Sequence, residues 1–235
     1  MRSLWSRLLQ LQRIPPADFV RAYEAFPDPD PRLPWREVPY TVIDVETTGL
    51  DPRNDALIAV GAVNVENGRV LLKQTWHSLI RPPADREPSV ESIRVHHLTP
   101  EELRDAPSPA EVLAELLQRI AGRVLVVHVA EIDVRFINAA LKPFGGRLRR
   151  PILDTARLAM TLHLNAQWLG EQSRDMPTPA VELRGLASSL GLPVYAQHNA
   201  LNDAVTTAQL FIAQATILAD QGRSNLASLI RAGGV

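Results

Sequence analysis

The chain has 235 residues, of which 46% are hydrophobic and 22% charged, and its formal net charge at pH 7 is −1. This length can bury a hydrophobic core, whereas the absence of cysteine excludes disulfides and thiolate metal sites. The balanced charge excludes a generally basic surface. Because no apolar run is long enough for a signal peptide or a membrane span, we expect a soluble cytoplasmic protein without a membrane partner.

The N-terminal segment is predicted to form a helical arm in front of the main domain. Apolar residues recur at helical spacing through residues 4–26. The stretch "PDPDPRLPW" then places four prolines in residues 27–35, which predicts a stiff linker. We therefore expect a helical arm and linker over residues 1–37 and one domain over residues 38–235.

Three strands are predicted next, followed by helices that alternate with two shorter strands. The first strands cover residues 40–46, 57–65 and 69–80, and Asn67-Gly68 predicts an antiparallel hairpin between the second and third. This order predicts an α/β architecture, a mixed sheet covered by helices. The shorter strands are expected at 124–129 and 152–155. One helix is expected to begin at residue 100, and the others are expected at 109–122, 133–146, 155–164, 182–192, 203–221 and 224–231, with 164–181 irregular.

Two capping boxes mark helix starts. Thr99 and Ser108 each supply an N-cap hydroxyl, followed by proline at the first helical position and glutamate at the third. Each pattern therefore predicts that a helix begins at the proline.

The first strand carries two acids in an otherwise apolar run. Asp44 and Glu46 project from the same face, roughly 7 Å apart along the strand. A strand end that simply emerges into solvent would also accommodate them. The glycine-containing turn "TTGL" follows directly, and ligand sites favour such strand ends.

Two further acids stand near predicted helix starts, where an acid can also merely complement the helix dipole. They are Asp133, after the fourth strand, and Asp203, five residues after His198. Five helical steps rotate a side chain by about 140°, so His198 and Asp203 can share a site only if His198 lies in the preceding loop.

Three segments, in order, resemble the motifs of the DEDDh family of 3′→5′ exonucleases: "DVETTG" (44–49), "HVAEIDVRFI" (128–137) and "HNALND" (198–203). The segments "VHHLTPEEL" and "ILDTARLA" are also similar to family segments. The resemblance covers about residues 38–220. It implies a ribonuclease H-like fold, with a five-stranded mixed sheet flanked by helices.

The resemblance also implies residue roles. His198 would be the general base, and Asp44, Glu46, Asp133 and Asp203 the catalytic metal ligands. Because oxygen-only ligands select hard cations, the expected cofactors are two Mg²⁺ or Mn²⁺ ions. The residues implied to bind the substrate are Thr47, Thr48, Gly49, Leu50 and either His96 or His97.

The second motif departs from the family pattern at two positions. Val129 stands where the family usually has asparagine, and Ile132 where it usually has phenylalanine. Neither change removes a metal ligand, but both are expected to alter the floor of the site or its hold on the substrate. Outside the motifs, Arg147, Arg149 and Arg150 could contact a phosphate backbone or form an ordinary solvated loop.

The predicted function is hydrolysis of phosphodiester bonds at single-stranded 3′ ends, with DNA favoured over RNA and release of 5′-mononucleotides. Three alternatives stay open: a 3′→5′ exoribonuclease, a silent nuclease fold that only binds nucleic acid, and a hydrolase of free nucleotides. The N-terminal arm is a candidate contact for a DNA polymerase or repair partner.

Overall fold

The computed structural model describes residues 16–149, 151–168, 181–196 and 198–235. Residues 1–15 of the predicted arm and residues 169–180 of the predicted irregular segment lie outside this part. The strands are β1 (Tyr40–Thr47), β2 (Leu57–Glu66), β3 (Arg69–Leu79), β4 (Val124–Val127) and β5 (Ile152–Asp154). The helices are α1 (Asp18–Glu24), α2 (Val90–His96), α3 (Pro100–Arg104), α4 (Pro109–Ile120), α5 (Ala130–Leu141), α6 (Thr155–Trp168), α7 (Leu183–Ser189), α8 (Ala200–Asp220) and α9 (Leu226–Gly233), with 3₁₀ turns at Trp35–Glu37 and Lys142–Phe144.

The strands form one mixed sheet in the order β3-β2-β1-β4-β5. The pairs β1–β2 and β2–β3 are antiparallel, whereas β1–β4 and β4–β5 are parallel. Asn67 and Gly68 have φ angles of 52° and 68°, as a two-residue hairpin turn requires. The predicted hairpin and the predicted five-stranded α/β sheet are both confirmed.

Alternation along β1 divides the interior into two layers. Ile43 and Val45 belong to a core formed with α1, α4 and α5. Tyr40 and Val42 belong to a second core, formed with α6, α8 and α9 on the opposite face of the sheet. Since residues 42, 44 and 46 share a face, the acids of β1 point towards the side that α8 covers.

Both predicted capping boxes are present, at Thr99 with Glu102 and at Ser108 with Glu111. Two other predicted helix starts were wrong by three residues, because α5 begins at Ala130 and α8 at Ala200. Asp133 and Asp203 are therefore each the fourth residue of a helix. The helix α2 was not predicted, and α6 continues beyond the predicted end at residue 164.

The short helix α1 packs into the main domain. Val20 is fully buried and Tyr23 nearly so, both within the core on the α4 and α5 side. A Cβ at Gly146 would lie 2.8 Å from Val20, so the loop after α5 sits directly on α1. The division of the chain at residue 37 stays a prediction.

Of the helices that the structure describes, none combines the length and the apolar character needed to cross a bilayer.

Candidate metal centre

Three of the predicted acids come together at the carboxyl end of β1. Carboxylate oxygens of Asp44, Glu46 and Asp203 all lie within 4.8 Å of one another. A bulge in the β1–β2 ladder follows, because Glu46 pairs with Ala59 and Thr47 with Leu57. Bulges of this kind bend a strand and re-aim its side chains, and they are frequent beside active sites.

A glycine in β2 allows Asp203 to reach the strand acids. Gly61 pairs with Asp44, and a Cβ there would overlap the backbone of Ala200 and Leu201. The missing side chain therefore lets the first turn of α8 lie directly on β2. Gly61 was not among the predicted site residues, although an isolated glycine inside a strand is a recognised sign of close backbone approach.

The fourth acid, Asp133, approaches from α5. Its side chain is 2% exposed, and its Oδ1 accepts a hydrogen bond of 3.1 Å from the Val45 N–H. Strand β4 pairs with β1 only as far as Val42, so this part of β1 is open to Asp133. Among the described residues, Asp133 Oδ2 is buried without a hydrogen-bond partner. Asp133 is not part of the 4.8 Å group, but its charge acts on Asp44.

The corner between β4 and α5 is held by Asp154. Its carboxylate accepts hydrogen bonds from the N–H groups of Val129, Ala130 and Ala156, at 3.1, 3.0 and 2.8 Å. Val129 has φ 61° and ψ 67°, a left-handed conformation that β-branched residues disfavour. Asp154 was not among the predicted site residues, although an acid at the end of the buried run "ILD" is a signal that the sequence offers.

Burial and mutual repulsion raise the pKa values of these acids. Burial is the main cause for Asp44, and the charges of Asp133, Glu46 and Asp203 add to it. Burial and then Asp203 raise the pKa of Glu46 to about 7. For Asp133, burial raises the pKa against the lowering effect of the Val45 N–H bond. Burial also raises the pKa of Asp203, opposed mainly by the N–H of His198. A positive ion bound among these four carboxylates would therefore offset their mutual repulsion.

His198 lies in the loop before α8, as convergence with Asp203 requires. Its backbone N–H donates to Asp203 Oδ2 at 2.9 Å, and its side chain is exposed. The backbone of His198 is left-handed, with φ 58°, and Asn199 then caps the helix.

The turn after β1 is held by its own hydrogen bonds. Thr47 Oγ1 donates to the Gly49 carbonyl at 2.6 Å. Thr48 is 2% exposed, and both its N–H and its hydroxyl bond to the backbone of Ala56. Leu50 is 81% exposed at the tip of this turn. Substrate binding by these residues stays a prediction.

His96 contributes a buried donor. It is 6% exposed, and its Nδ1 accepts a hydrogen bond of 3.0 Å from the Leu98 N–H. Burial lowers its pKa, with smaller effects from the charges of His97 and His198. The neutral ring then carries its proton on Nε2, which is buried without a partner among the described residues. His97 is exposed at the end of α2.

Comparison with sequence families and curated proteins gives a consistent result. The family model RNase_T, described as exonuclease, matches residues 41–211. DNA polymerase III subunit epsilon of Treponema pallidum is 31% identical over 189 residues, which cover 80% of each chain. DNA polymerase III PolC-type of Thermotoga petrophila is 34% identical over 174 residues, but these are 74% of this chain and only 12% of the polymerase.

Solved structures share the fold. Exonuclease X in complex with 5′ overhanging duplex DNA superposes with a TM-score of 0.60 at 21% identity, covering 83% of this chain and 99% of that one. The nuclease domain of 3′hExo, a DEDDh family member bound to rAMP, gives a TM-score of 0.62 at 15% identity, covering 80% of this chain and 95% of that one. The predicted ribonuclease H-like fold is confirmed.

Proposed function

The chain belongs to the DEDDh exonuclease family, and from that membership we propose that it is a metal-dependent 3′→5′ exonuclease that releases 5′-mononucleotides from single-stranded DNA ends. The observation that carries the proposal is the convergence of Asp44, Glu46 and Asp203 within 4.8 Å. Members of the family depend on divalent metal ions, and an acidic group of this kind fits that requirement.

The donor set fits Mg²⁺ or Mn²⁺, because every candidate ligand is a carboxylate oxygen. The buried, unpartnered Oδ2 of Asp133 supports its assignment as the fourth ligand. When bound, a pair of such ions supplies the positive charge that activates an attacking water and stabilises the leaving oxygen of a phosphodiester. Asp44, Glu46, Asp203 and Asp133 would be the residues that hold these ions.

His198 would accept the proton of the attacking water. An imidazole suits this task, because it exchanges a proton near neutral pH. Its exposed side chain is free to face the substrate, while its backbone N–H stays on Asp203 Oδ2. The same residue would thus orient a metal ligand through its backbone and move a proton through its ring.

The 3′-terminal nucleotide would lie between the turn after β1 and α2. The exposed Leu50 is suited to pack beside the base, and the unpartnered Nε2–H of His96 can donate to an oxygen of the nucleotide. Thr47, Thr48 and Gly49 would shape the turn that holds it.

DNA is the favoured substrate because the curated relatives carry DNA polymerase III names and exonuclease X was solved with DNA. RNA is the second candidate, since 3′hExo was solved with rAMP. A DNA polymerase or repair partner, contacted through the N-terminal arm, belongs to the same proposal.

The test is incubation with Mg²⁺ and matched 5′-labelled single strands of DNA and RNA, alongside free nucleotides. A ladder that shortens from the 3′ end, faster on DNA, is the expected result, and Asp44→Asn should abolish it. Turnover of free nucleotides alone would assign a nucleotide hydrolase, and binding without cleavage would assign a silent module.

A further inference from the structure

We propose that a groove on the opposite side of α5 from the carboxylates binds the sugar–phosphate backbone of the substrate strand, upstream of its 3′ end. The groove has a volume of about 640 Å³ and runs between α5, the loop at residues 145–149 and the start of β5. This inference rests on the proposed function, and it names a second contact region for the same substrate. The charged residues that line the groove are Arg135, Arg147, Arg149, Arg157 and Glu131.

Two of these arginines form no ion pair with any residue that the structure describes. Arg135 and Arg147 are exposed, and within the described part of the chain neither takes part in a hydrogen bond or an ion pair. Arg149 and Arg157 are different, because Arg149 pairs with Asp28 at 2.7 Å and Arg157 with Asp154 at 4.0 Å. Within the described residues, the groove therefore presents two arginines without an ion-pair partner, on a chain whose net charge is −1.

The walls of the groove are held in place by hydrogen bonds from backbone N–H groups. The Leu148 N–H donates to Asn138 Oδ1 at 2.7 Å, which ties the loop to α5. On the far side, the Val235 N–H donates to the Ile152 carbonyl at 3.0 Å. Close packing of Gly146 on Val20 fixes the start of the loop from below. Arg147 thus projects from a rigid loop, so binding does not have to order it first.

The position of the groove links it to the metal centre. Ala130 and Glu131, at the start of α5, line one end of it. Asp133 lies in the same helical turn, and Arg135 follows two residues later, about 200° round the helix. A strand whose 3′ end lies at the carboxylates reaches the arginines by crossing the N-terminal end of α5.

A phosphate backbone is the ligand that fits these groups. Guanidinium groups bind phosphate through forked hydrogen bonds, and the groove offers two such groups, Arg135 on α5 and Arg147 on the loop. Since four arginines and one acidic side chain, Glu131, line the groove, charge complementarity favours a polyanion.

The test compares the double variant Arg135→Gln/Arg147→Gln with the matched control Arg69→Gln/Arg104→Gln, whose residues are exposed elsewhere. Binding of a fluorescent 30-nucleotide single strand is measured in an Asp44→Asn background, so that the strand stays intact. The groove variant should bind more weakly. The slope of log Kd against log salt concentration should be smaller by about 1.4 in the groove variant. The ratio of its Kd to that of the control should therefore fall about sevenfold between 50 and 200 mM salt.

A second measurement uses active protein and a small substrate, the p-nitrophenyl ester of thymidine 5′-monophosphate, which is too short to reach the groove. Its kcat/KM should be unchanged in the groove variant. The proposal would be overturned if the groove variant and the control bound the strand with equal affinity. It would also be overturned if the groove variant lost ester hydrolysis to the same extent as strand binding. A third contrary result would be binding of poly-glutamate, but not of the strand, that depends on the two arginines. If active protein cleaves neither substrate while arginine-dependent strand binding persists, the proposed function fails and the groove stands.

Discussion

Val129 adopts a backbone conformation that its β-branched side chain disfavours, at a cost on the order of 1–3 kcal/mol. Asp154 offsets this cost by accepting the N–H groups of Val129 and Ala130, so the corner that aims Asp133 depends on a buried carboxylate. An asparagine at position 129, as the family usually has, would tolerate the same conformation better. With valine at position 129, the corner therefore depends more strongly on the hydrogen bonds that Asp154 accepts.

Asp154→Asn should lower the free energy of unfolding by about 2 kcal/mol or more, because one charged acceptor is replaced by an amide that turns a donor towards buried N–H groups. Displacement of Asp133 should also weaken Mn²⁺ binding. Urea unfolding and Mn²⁺ titration measure the two effects. Val129→Asn is the matched control, and it should stabilise the protein by about 1 kcal/mol with Mn²⁺ affinity retained. Wild-type stability and Mn²⁺ affinity in Asp154→Asn would contradict the role given to the carboxylate.

His198→Asn should separate the ring of this residue from its backbone. Asparagine tolerates the left-handed conformation, and the backbone N–H that bonds to Asp203 is kept. Single-turnover cleavage of a labelled strand should slow by about 10²–10⁴-fold, while the Kd for Mn²⁺ stays near that of the wild type. If Mn²⁺ affinity falls as much as the rate, the ring is a metal ligand and the general-base assignment is wrong.

Glu46 makes the stability of the metal-free protein depend on pH. Its pKa is raised from 4.5 to about 7, so between these values the folded state holds a proton that the unfolded chain releases. Stability should therefore fall as pH rises from about 5 to 7, by about 1.4 kcal/mol per pH unit for one such proton. Urea unfolding in EDTA measures this slope, which Glu46→Gln should flatten. A metal-free wild-type protein whose slope matches that of Glu46→Gln would refute the assignment.

At the scale of elements, the site depends on how closely α8 lies against β2. The sequence predicts the sheet correctly, because strand alternation and hairpin turns are local properties. The roles of the four acids and His198 come from the ordered motifs and stay predictions. The first residues of α5 and α8 were harder to predict, because each helix follows a residue in the left-handed conformation, Val129 or His198, which local propensity disfavours. Gly61 and Asp154 act through contacts distant in sequence, which a single sequence does not specify.

Gly61→Ala should push the first turn of α8 away from β2, because the added methyl would overlap the backbone of Ala200 and Leu201. We expect a loss of about 1–3 kcal/mol in the free energy of unfolding, together with weaker Mn²⁺ binding as Asp203 moves. The control is Ala62→Gly, the next residue on the opposite face, which should cost about 0.5–1 kcal/mol without changing Mn²⁺ affinity. Unchanged Mn²⁺ affinity in Gly61→Ala would show that the close approach is not needed for the site.

At the scale of the whole molecule, the predicted arm shares a hydrophobic core with α4 and with α5, the helix that carries Asp133. Val20 and Tyr23 are buried in the core that also holds α4 and α5. The Tyr23 hydroxyl accepts the Arg149 N–H at 3.0 Å, and the Arg149 guanidinium pairs with Asp28. The proline-rich composition predicted the linker, but helical periodicity alone does not state which surface a short helix covers.

A chain that begins at residue 38 should be several kcal/mol less stable than one that begins at residue 16. Burial of a large apolar side chain contributes about 1.5–3 kcal/mol, and Val20 and Tyr23 would both be lost from the core. That sum is a large part of the roughly 5–15 kcal/mol by which domains are stable. Urea unfolding of the two chains and of the full-length protein measures the difference, with Val20→Ala as a point-mutant comparison. Equal urea midpoints for the chains starting at 16 and 38 would establish residues 38–235 as a self-sufficient domain and leave α1 a dispensable attachment.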